Sequence, residues 1–117
     1  LDPACGCGNF LVITYRELRL LELEVLRAAH TSGQRVLDIH RMIELNVDQF
    51  YGIEIEEFPA QIAQVALWLT DHQMNQKVVE EFGMYFARIP LVTTPHIHCA
   101  NALTIDWNDV LPGQRCG

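Results

Sequence analysis

The sequence of 117 residues predicts an α/β fold in which parallel strands alternate with helices. An apolar and aromatic run over residues 50–55 predicts a buried strand, and a further strand is expected from His96 onward. Segments with a helical spacing of apolar residues separate these runs, and the first residues are expected to belong to an earlier strand. Because strand–helix–strand connections are right-handed, strands in this order form a parallel sheet.

The first ten residues have the pattern of a tight loop between a strand and a helix. In order, they include Asp2, Pro3, Ala4, Cys5, Gly6, Cys7, Gly8, Asn9 and Phe10. Glycine tolerates unusual backbone dihedrals and places no Cβ in the path of a ligand, and the following helix presents free N–H groups at its start. Leu11 stands where a dinucleotide fingerprint has its third glycine, and no Gly-Lys-Ser/Thr follows as in a phosphate loop.

The first helix is predicted over residues 9–29, with Asn9 as its N-cap and Gly33 as a stop beyond its end. Its apolar stripe is expected to consist of Phe10, Ile13, Leu18, Leu21 and Val25. A short helix over residues 36–44 is predicted to lead into the strand at residues 50–55.

The second long helix is predicted to follow that strand, because Pro59 suits a first helical turn. The apolar residues that follow helical spacing in it are Phe58, Ile62, Val65, Ala66 and Leu69. We expect this helix to end near Asn75, with residues 76–82 continuing it or following a kink. A loop is predicted over residues 83–95, and an exposed segment is predicted around Trp107.

A carboxylate is predicted at the tip of the strand over residues 50–55. Glu54 ends this run, and an acidic side chain at the tip of the second strand of a doubly wound sheet can accept hydrogen bonds from both ribose hydroxyls. The alternative is a solvated strand end, because Glu56 and Glu57 follow directly.

Composition and charge restrict the partners of the chain. Hydrophobic residues make up 50% of it, which argues for a folded protein, and no run of 18 apolar residues is present that would cross a membrane. The net charge is −7 and only eight residues are Lys or Arg, so a surface that neutralises phosphates is not expected. Any contact with DNA is therefore expected from other parts of a larger protein.

The four cysteines, Cys5, Cys7, Cys99 and Cys116, show no C-x-x-C spacing. They are expected to be small, buried and reduced thiols of a cytoplasmic protein. Cys5 and Cys7 are expected to be mildly reactive, because they lie near a helix start. An alternative is a metal site, which would make the chain a metal or interaction module rather than an enzyme. Its ligands would be Cys5, Cys7, His96, His98 and Cys99.

Residues 2–10 closely resemble the cofactor loop of S-adenosylmethionine-dependent, adenine-specific DNA methyltransferases. Cys7 departs from the family pattern, which usually has a serine there, although both side chains are small. Residues 53–60, 65–75 and 101–107 are similar to the large methyltransferases of fused restriction–modification and phage-defence systems. The resemblance covers nearly the whole chain.

The resemblance implies a Rossmann-like class I methyltransferase fold and S-adenosylmethionine as the cofactor. It implies that residues 2–10 hold the methionine part and that Glu54 binds the ribose. Ile55 would pack on the adenine face, and Asn101, with Ala102 beside it, would contact the adenine amino group. A turn asparagine at a strand end is the alternative for Asn101. The implied reaction is methyl transfer to the exocyclic amine of a flipped adenine.

Such methyltransferases carry an Asn-Pro-Pro-aromatic motif, and no Asn-Pro pair occurs in this sequence. We therefore expect residues 1–117 to be a single partial domain, truncated before the fourth strand and unable to transfer a methyl group alone. The open sheet edge is expected to cause self-association or marginal stability. A methyltransferase that acts on RNA, protein or a small molecule is an alternative, because the fold is shared. A nicotinamide enzyme is disfavoured by the loop spacing.

Overall fold

The computed structural model describes residues 1–31, 45–82 and 94–111. Its regular elements are helix α1 (Asn9–Thr31), a short 3₁₀ helix (Val47–Gln49), strand β1 (Tyr51–Glu54), helix α2 (Glu57–Phe82), strand β2 (His96–Cys99) and the short helix α3 (Trp107–Val110). The stop predicted at Gly33, the helix predicted over residues 36–44 and most of the predicted loop before β2 lie outside the described residues. In the described ranges, no helix combines the length and the apolar content needed to cross a membrane.

β1 is the centre of a parallel sheet. On one side it pairs with β2, in a register that places Tyr51 opposite His96. On its other side the first residues of the chain run parallel to it, because Asp2 N–H donates to Tyr51 O at 2.9 Å and Ile53 N–H donates to Asp2 O at 2.9 Å. The predicted α/β fold with a parallel sheet is confirmed.

α1 begins directly at the end of the glycine loop. The Gly8 carbonyl accepts the Val12 N–H at 2.8 Å, so Gly8 occupies the N-cap position and Asn9 is the first helical residue. The prediction that Asn9 is the N-cap is therefore wrong by one residue. Glycine is a good N-cap, and here its dihedrals also serve the loop that precedes the helix.

α2 is one unbroken helix of 26 residues. Pro59 lies in its first turn, where the missing N–H costs no hydrogen bond. The helix continues through the end predicted near Asn75 and stops at Phe82, so residues 76–82 extend it.

Both long helices bury a different face from the one that apolar spacing predicts. The exposed side chains are Phe10, Ile13, Leu18, Leu21 and Val25 on α1 and Phe58, Ile62, Val65 and Leu69 on α2. The buried side chains are Leu11, Tyr15, Arg19, Leu23, Leu26 and Ala29 on α1 and Ala60, Ala63, Leu67, Thr70, Asp71, Met74, Asn75 and Val78 on α2. Each helix has apolar residues on both faces, and the prediction fails because polar side chains (Arg19, Thr70, Asp71 and Asn75) interrupt the face that is buried.

The polar side chains between α1 and α2 form a network around Arg19. Arg19 is 2% exposed, and its Nη1 donates to Asp71 Oδ1 at 3.0 Å and to the Tyr15 hydroxyl at 2.8 Å. Its Nη2 donates to Asn75 Oδ1 at 2.8 Å. Its Nε lies 3.3 Å from Glu22 Oε1, at ion-pair distance without hydrogen-bond geometry. A buried charge is costly unless it is paired and hydrogen-bonded, so these contacts fix how the two helices pack.

Tyr15 connects this network to the sheet. Its hydroxyl donates to Asp71, and its ring packs edge-on against Phe50 with the centroids 5.1 Å apart. Burial raises the pKa of Tyr15 above its ordinary value, so the hydroxyl stays protonated and remains a donor. Because Phe50 directly precedes β1, one side chain orients both α1 and the central strand.

Replacement of Asp71 by alanine tests the network. Asp71→Ala should destabilise the chain by about 3–5 kcal/mol, because it leaves the Arg19 guanidinium buried without its carboxylate partner. Urea unfolding followed by tryptophan fluorescence measures the loss. Glu17→Ala is the control, since Glu17 lies on the surface 4.0 Å from Arg16, and it should change the stability by less than about 0.5 kcal/mol. Equal effects of the two substitutions would contradict the role of the network.

Candidate functional site

The ends of the parallel segments meet at one edge of the sheet, next to the glycine loop. Cys5 N–H donates to Ile53 O at 3.0 Å, which continues the pairing of the first segment with β1 as far as the loop. Gly6 N–H then donates to Glu54 Oε2 at 2.8 Å, and Glu56 N–H donates to Glu54 Oε1 at 3.2 Å. The Glu54 carboxylate therefore lies between the glycine loop and the start of α2.

Two glycines determine the shape of the loop. Gly6 has a φ of +54° and Gly8 a φ of +84°, in the left-handed region where other residues are strained. A Cβ on Gly8 would lie 3.0 Å from the Cβ of Ala63, whereas a Cβ on Gly6 would meet nothing within 4 Å. Gly8 thus allows α1 to start against α2, and Gly6 leaves its side of the loop open.

Asp2 orients the entry of the loop. Its Oδ1 accepts the Ala4 N–H at 3.1 Å, in a turn that contains Pro3. At the exit of the loop, Gly8 N–H donates to Cys5 O at 2.8 Å. The exposed residues of the loop are Pro3, Ala4, Cys7, Asn9 and Phe10.

The segment after β2 lies beside Glu54. Ala100 N–H donates to Glu54 O at 2.9 Å, which places Asn101 and Ala102 at the edge that carries the glycine loop. Ile55 follows Glu54 at the same edge and is 63% exposed. The structure therefore brings these predicted site residues together, and their roles in binding stay predictions.

Asn101 forms a turn with its own side chain. Its Oδ1 accepts the Leu103 N–H at 3.0 Å, and its backbone carbonyl accepts the Thr104 N–H at 3.0 Å. This is the geometry of the alternative predicted for Asn101, a turn asparagine at a strand end. The side chain is half-buried in the turn, which restricts its orientation.

The cysteines differ from the expected set of small, buried and mildly reactive thiols. Cys5 is 6% exposed, and burial together with the charges of Asp2 and Glu54 raises the pKa of its thiol to about 11, so it is less reactive than an ordinary cysteine. Cys7 and Cys99 are exposed rather than buried. Within the part of the chain that the structure describes, no three His, Cys, Asp or Glu side chains form a group that could hold a metal ion. The alternative of a metal module therefore gains no support.

Two further residues of this region, Ala63 and Trp107, make contacts that no sequence pattern predicts. Ala63 is the small residue that faces Gly8. The indole Nε1 of Trp107 donates to Ala102 O at 2.8 Å, which connects α3 to the segment after β2. The side chain of Asp106 caps α3, and a sequence pattern indicates this cap but not the hydrogen bond of Trp107.

In this parallel sheet, α1 starts at the glycine loop and α2 starts after Glu54 at the tip of β1. This arrangement defines a partial Rossmann-like fold. The solved structure of the type IIL restriction-modification enzyme MmeI in complex with DNA is similar to this fold. It is 80% identical with a TM-score of 0.83, and the match covers 94% of this chain and 15% of that chain. The family model of the MmeI DNA-methyltransferase domain matches residues 1–116, and the chain belongs to this methyltransferase family.

DNA methyltransferase A of Bacillus subtilis is a further relative, 41% identical over 115 residues. That match covers 97% of this chain and 13% of the relative. The chain therefore spans 13% to 15% of the length of these two proteins. The resemblance to large methyltransferases of restriction–modification systems is confirmed.

The two loop glycines should respond differently to substitution. Gly6→Ala and Gly8→Ala both place a side chain in left-handed backbone, at a cost of about 1–2 kcal/mol. Gly8→Ala adds overpacking against Ala63, about 1–3 kcal/mol more. Urea unfolding of both variants measures the difference in the free energy of unfolding. A larger loss in Gly6→Ala would show that Ala63 does not limit the approach of the two helices.

Proposed function

We propose that the chain is the S-adenosylmethionine-binding part of a DNA adenine-N6 methyltransferase of a restriction–modification system. The observation that carries this proposal is the Glu54 carboxylate, which ends the central strand and accepts the Gly6 N–H of the glycine loop. An acidic side chain in this position is suited to accept hydrogen bonds from ribose hydroxyls. Membership of a methyltransferase family supports the proposal, because such families generally use this cofactor.

The residues around Glu54 fit the parts of the cofactor. The loop of residues 2–10 would contact the methionine part, since Gly6 leaves its side of the loop open. The exposed side chain of Ile55 offers an apolar surface for the adenine face, with Asn101 and Ala102 at the polar edge of the ring. The bound cofactor supplies a methyl group on a sulfonium, which is a good leaving group. The task of the protein is therefore positioning and the exclusion of water.

Glu54 has enough acceptor sites for the loop and the ribose together. A carboxylate offers about four lone-pair sites. The N–H groups of Gly6 and Glu56 use one site on each oxygen. One site on each oxygen is thus left for the two ribose hydroxyls. The same side chain would shape the loop and bind the sugar without loss of either backbone bond.

DNA binding is proposed for other parts of the full-length protein. The net charge of −7 disfavours contacts with phosphates here, and the relative MmeI is known in complex with DNA. Because the sequence has no Asn-Pro pair to hold the target amine, we propose that the 117-residue chain alone transfers no methyl group. We further propose that it is a single partial domain of a cytoplasmic enzyme, with an open sheet edge that favours self-association.

Calorimetric titration of S-adenosylmethionine into the full-length product of the gene tests the cofactor proposal. We expect saturable binding of one cofactor, weakened at least ~10-fold by Glu54→Ala, which corresponds to about 1.4 kcal/mol. Glu56→Ala is the matched control, because it removes an exposed carboxylate next to Glu54 and keeps the backbone N–H. Absence of binding would overturn the proposal. Equal weakening by both substitutions would refute the role of Glu54.

Incubation of DNA with the full-length product and S-adenosylmethionine tests the acceptor. Mass spectrometry of the digested nucleosides should detect N6-methyladenine, because the flipped base is expected to be adenine. The 117-residue chain under the same conditions should give no methylated nucleoside. Methylated cytosine, or methyl transfer to RNA or protein in place of DNA, would contradict the adenine assignment.

A further inference from the structure

The peptide group between Ala102 and Leu103 is held at both of its ends. Its carbonyl, on Ala102, accepts the indole N–H of Trp107 at 2.8 Å. Its N–H, on Leu103, donates to Asn101 Oδ1 at 3.0 Å. Leu103 itself is 93% exposed, so apolar packing of its side chain does not hold the peptide in place. The two hydrogen bonds determine the orientation of this peptide.

The first bond affects the second through the rigid peptide plane. A peptide unit is planar, so a bond that fixes the direction of its carbonyl also fixes the direction of its N–H. The N–H of Leu103 can pair only with an acceptor, which assigns the oxygen of the Asn101 amide to the turn and directs the nitrogen Nδ2 away from it. Trp107 thus acts on the Asn101 amide from six residues away along the chain.

We propose that Trp107 is a positioning residue of the adenine pocket. Its indole N–H holds the Ala102–Leu103 peptide, and through it keeps the Asn101 oxygen in the turn and the donor Nδ2 free to pair with N1 of adenine, an acceptor, rather than with the amino group. The inference rests on the proposed function, in which Asn101 and Ala102 lie at the polar edge of the cofactor's base. Trp107 is 43% exposed and is the first residue of α3, whose N-cap is Asp106. The hydrogen bond from its indole to Ala102 O therefore comes from a helix that starts close to Asn101 in the sequence.

The chemistry of the base makes this orientation matter. Adenine presents an amino donor at position 6 and an acceptor at N1, whereas hypoxanthine presents an acceptor at position 6 and a donor at N1. An amide whose nitrogen faces N1 distinguishes the two bases there, because its N–H can pair with N1 of adenine, which accepts, and is opposed by N1 of hypoxanthine, which donates. An amide that is free to flip can match either edge. The bond from Trp107 should therefore contribute to the preference for adenine rather than to affinity in general.

The test compares two ligands on the full-length product of the gene. S-adenosylhomocysteine and S-inosylhomocysteine differ only at the base edge, and calorimetry gives a Kd for each. We expect the wild-type protein to prefer the adenosyl ligand, and Trp107→Phe to reduce the ratio of the two Kd values by about fivefold, the effect of one hydrogen bond. Trp68→Phe, a substitution on α2 where Trp68 stacks on His72, should leave the ratio unchanged.

A second variant removes only the donor. Replacement of Trp107 by 3-benzothienylalanine keeps the shape of the indole and exchanges its N–H for sulfur, so it should lower the ratio even if Trp107→Phe does not fold. If either folded variant weakens both ligands by the same factor, or changes neither, Trp107 has a structural role and the inference is overturned. If the wild-type protein binds neither ligand, the proposed function fails and the inference fails with it.

Discussion

The burial of the Arg19 guanidinium between the two long helices is the constraint on which the site depends. α1 starts at the glycine loop, and α2 starts three residues after Glu54. The pairing of the first segment with β1 brings Gly6 to Glu54, and the packing of the two helices determines the directions in which the chain leaves this site. Apolar side chains tolerate many packings of similar energy, whereas a guanidinium with directed bonds to Asp71 and Asn75 fits one. We infer that the network specifies the position of the helices, at the cost of burying a charge.

Two glycines set how closely these helices approach the sheet and each other. A Cβ on Gly52, in the central strand, would lie 3.0 Å from Cys5 Sγ and 3.1 Å from Leu11 Cδ1, so a larger residue there would push α1 away from the sheet. A larger residue at Gly8 would likewise push α1 away from Ala63 on α2. The dihedrals of the loop and the packing of the helices thus depend on the same short segment. A loop that is rigid for this reason needs little reordering when a ligand binds.

The sequence predicts the places of the loop glycines and of Glu54 in the fold better than it predicts the buried helix faces, because the former depend on neighbouring residues and the latter on distant ones. The loop glycines and Glu54 are recognised because each requirement is local: left-handed dihedrals before a helix, and an acidic residue at a strand end. The pairing of Arg19 with Asp71 joins residues 52 positions apart, and neither residue alone indicates burial. A rule that buries only apolar side chains therefore favours the faces of α1 and α2 that no polar residue interrupts, and these faces are exposed here. The contact of Trp107 is missed although it is local, because a spacing of five residues across a turn has no regular pattern.

The acidity of the chain agrees with the charge of the proposed cofactor. Burial, and after it the charges of Asp2 and Glu54, raise the pKa of Cys5, and these two carboxylates place negative charge beside the loop. S-adenosylmethionine carries a positive charge on its sulfonium, at the part of the molecule that would lie nearest this loop. DNA is an anion, and the same negative charge would repel it. The net charge of −7 therefore agrees with the proposal that this segment holds the cationic cofactor and that other parts of the protein bind the phosphates of DNA.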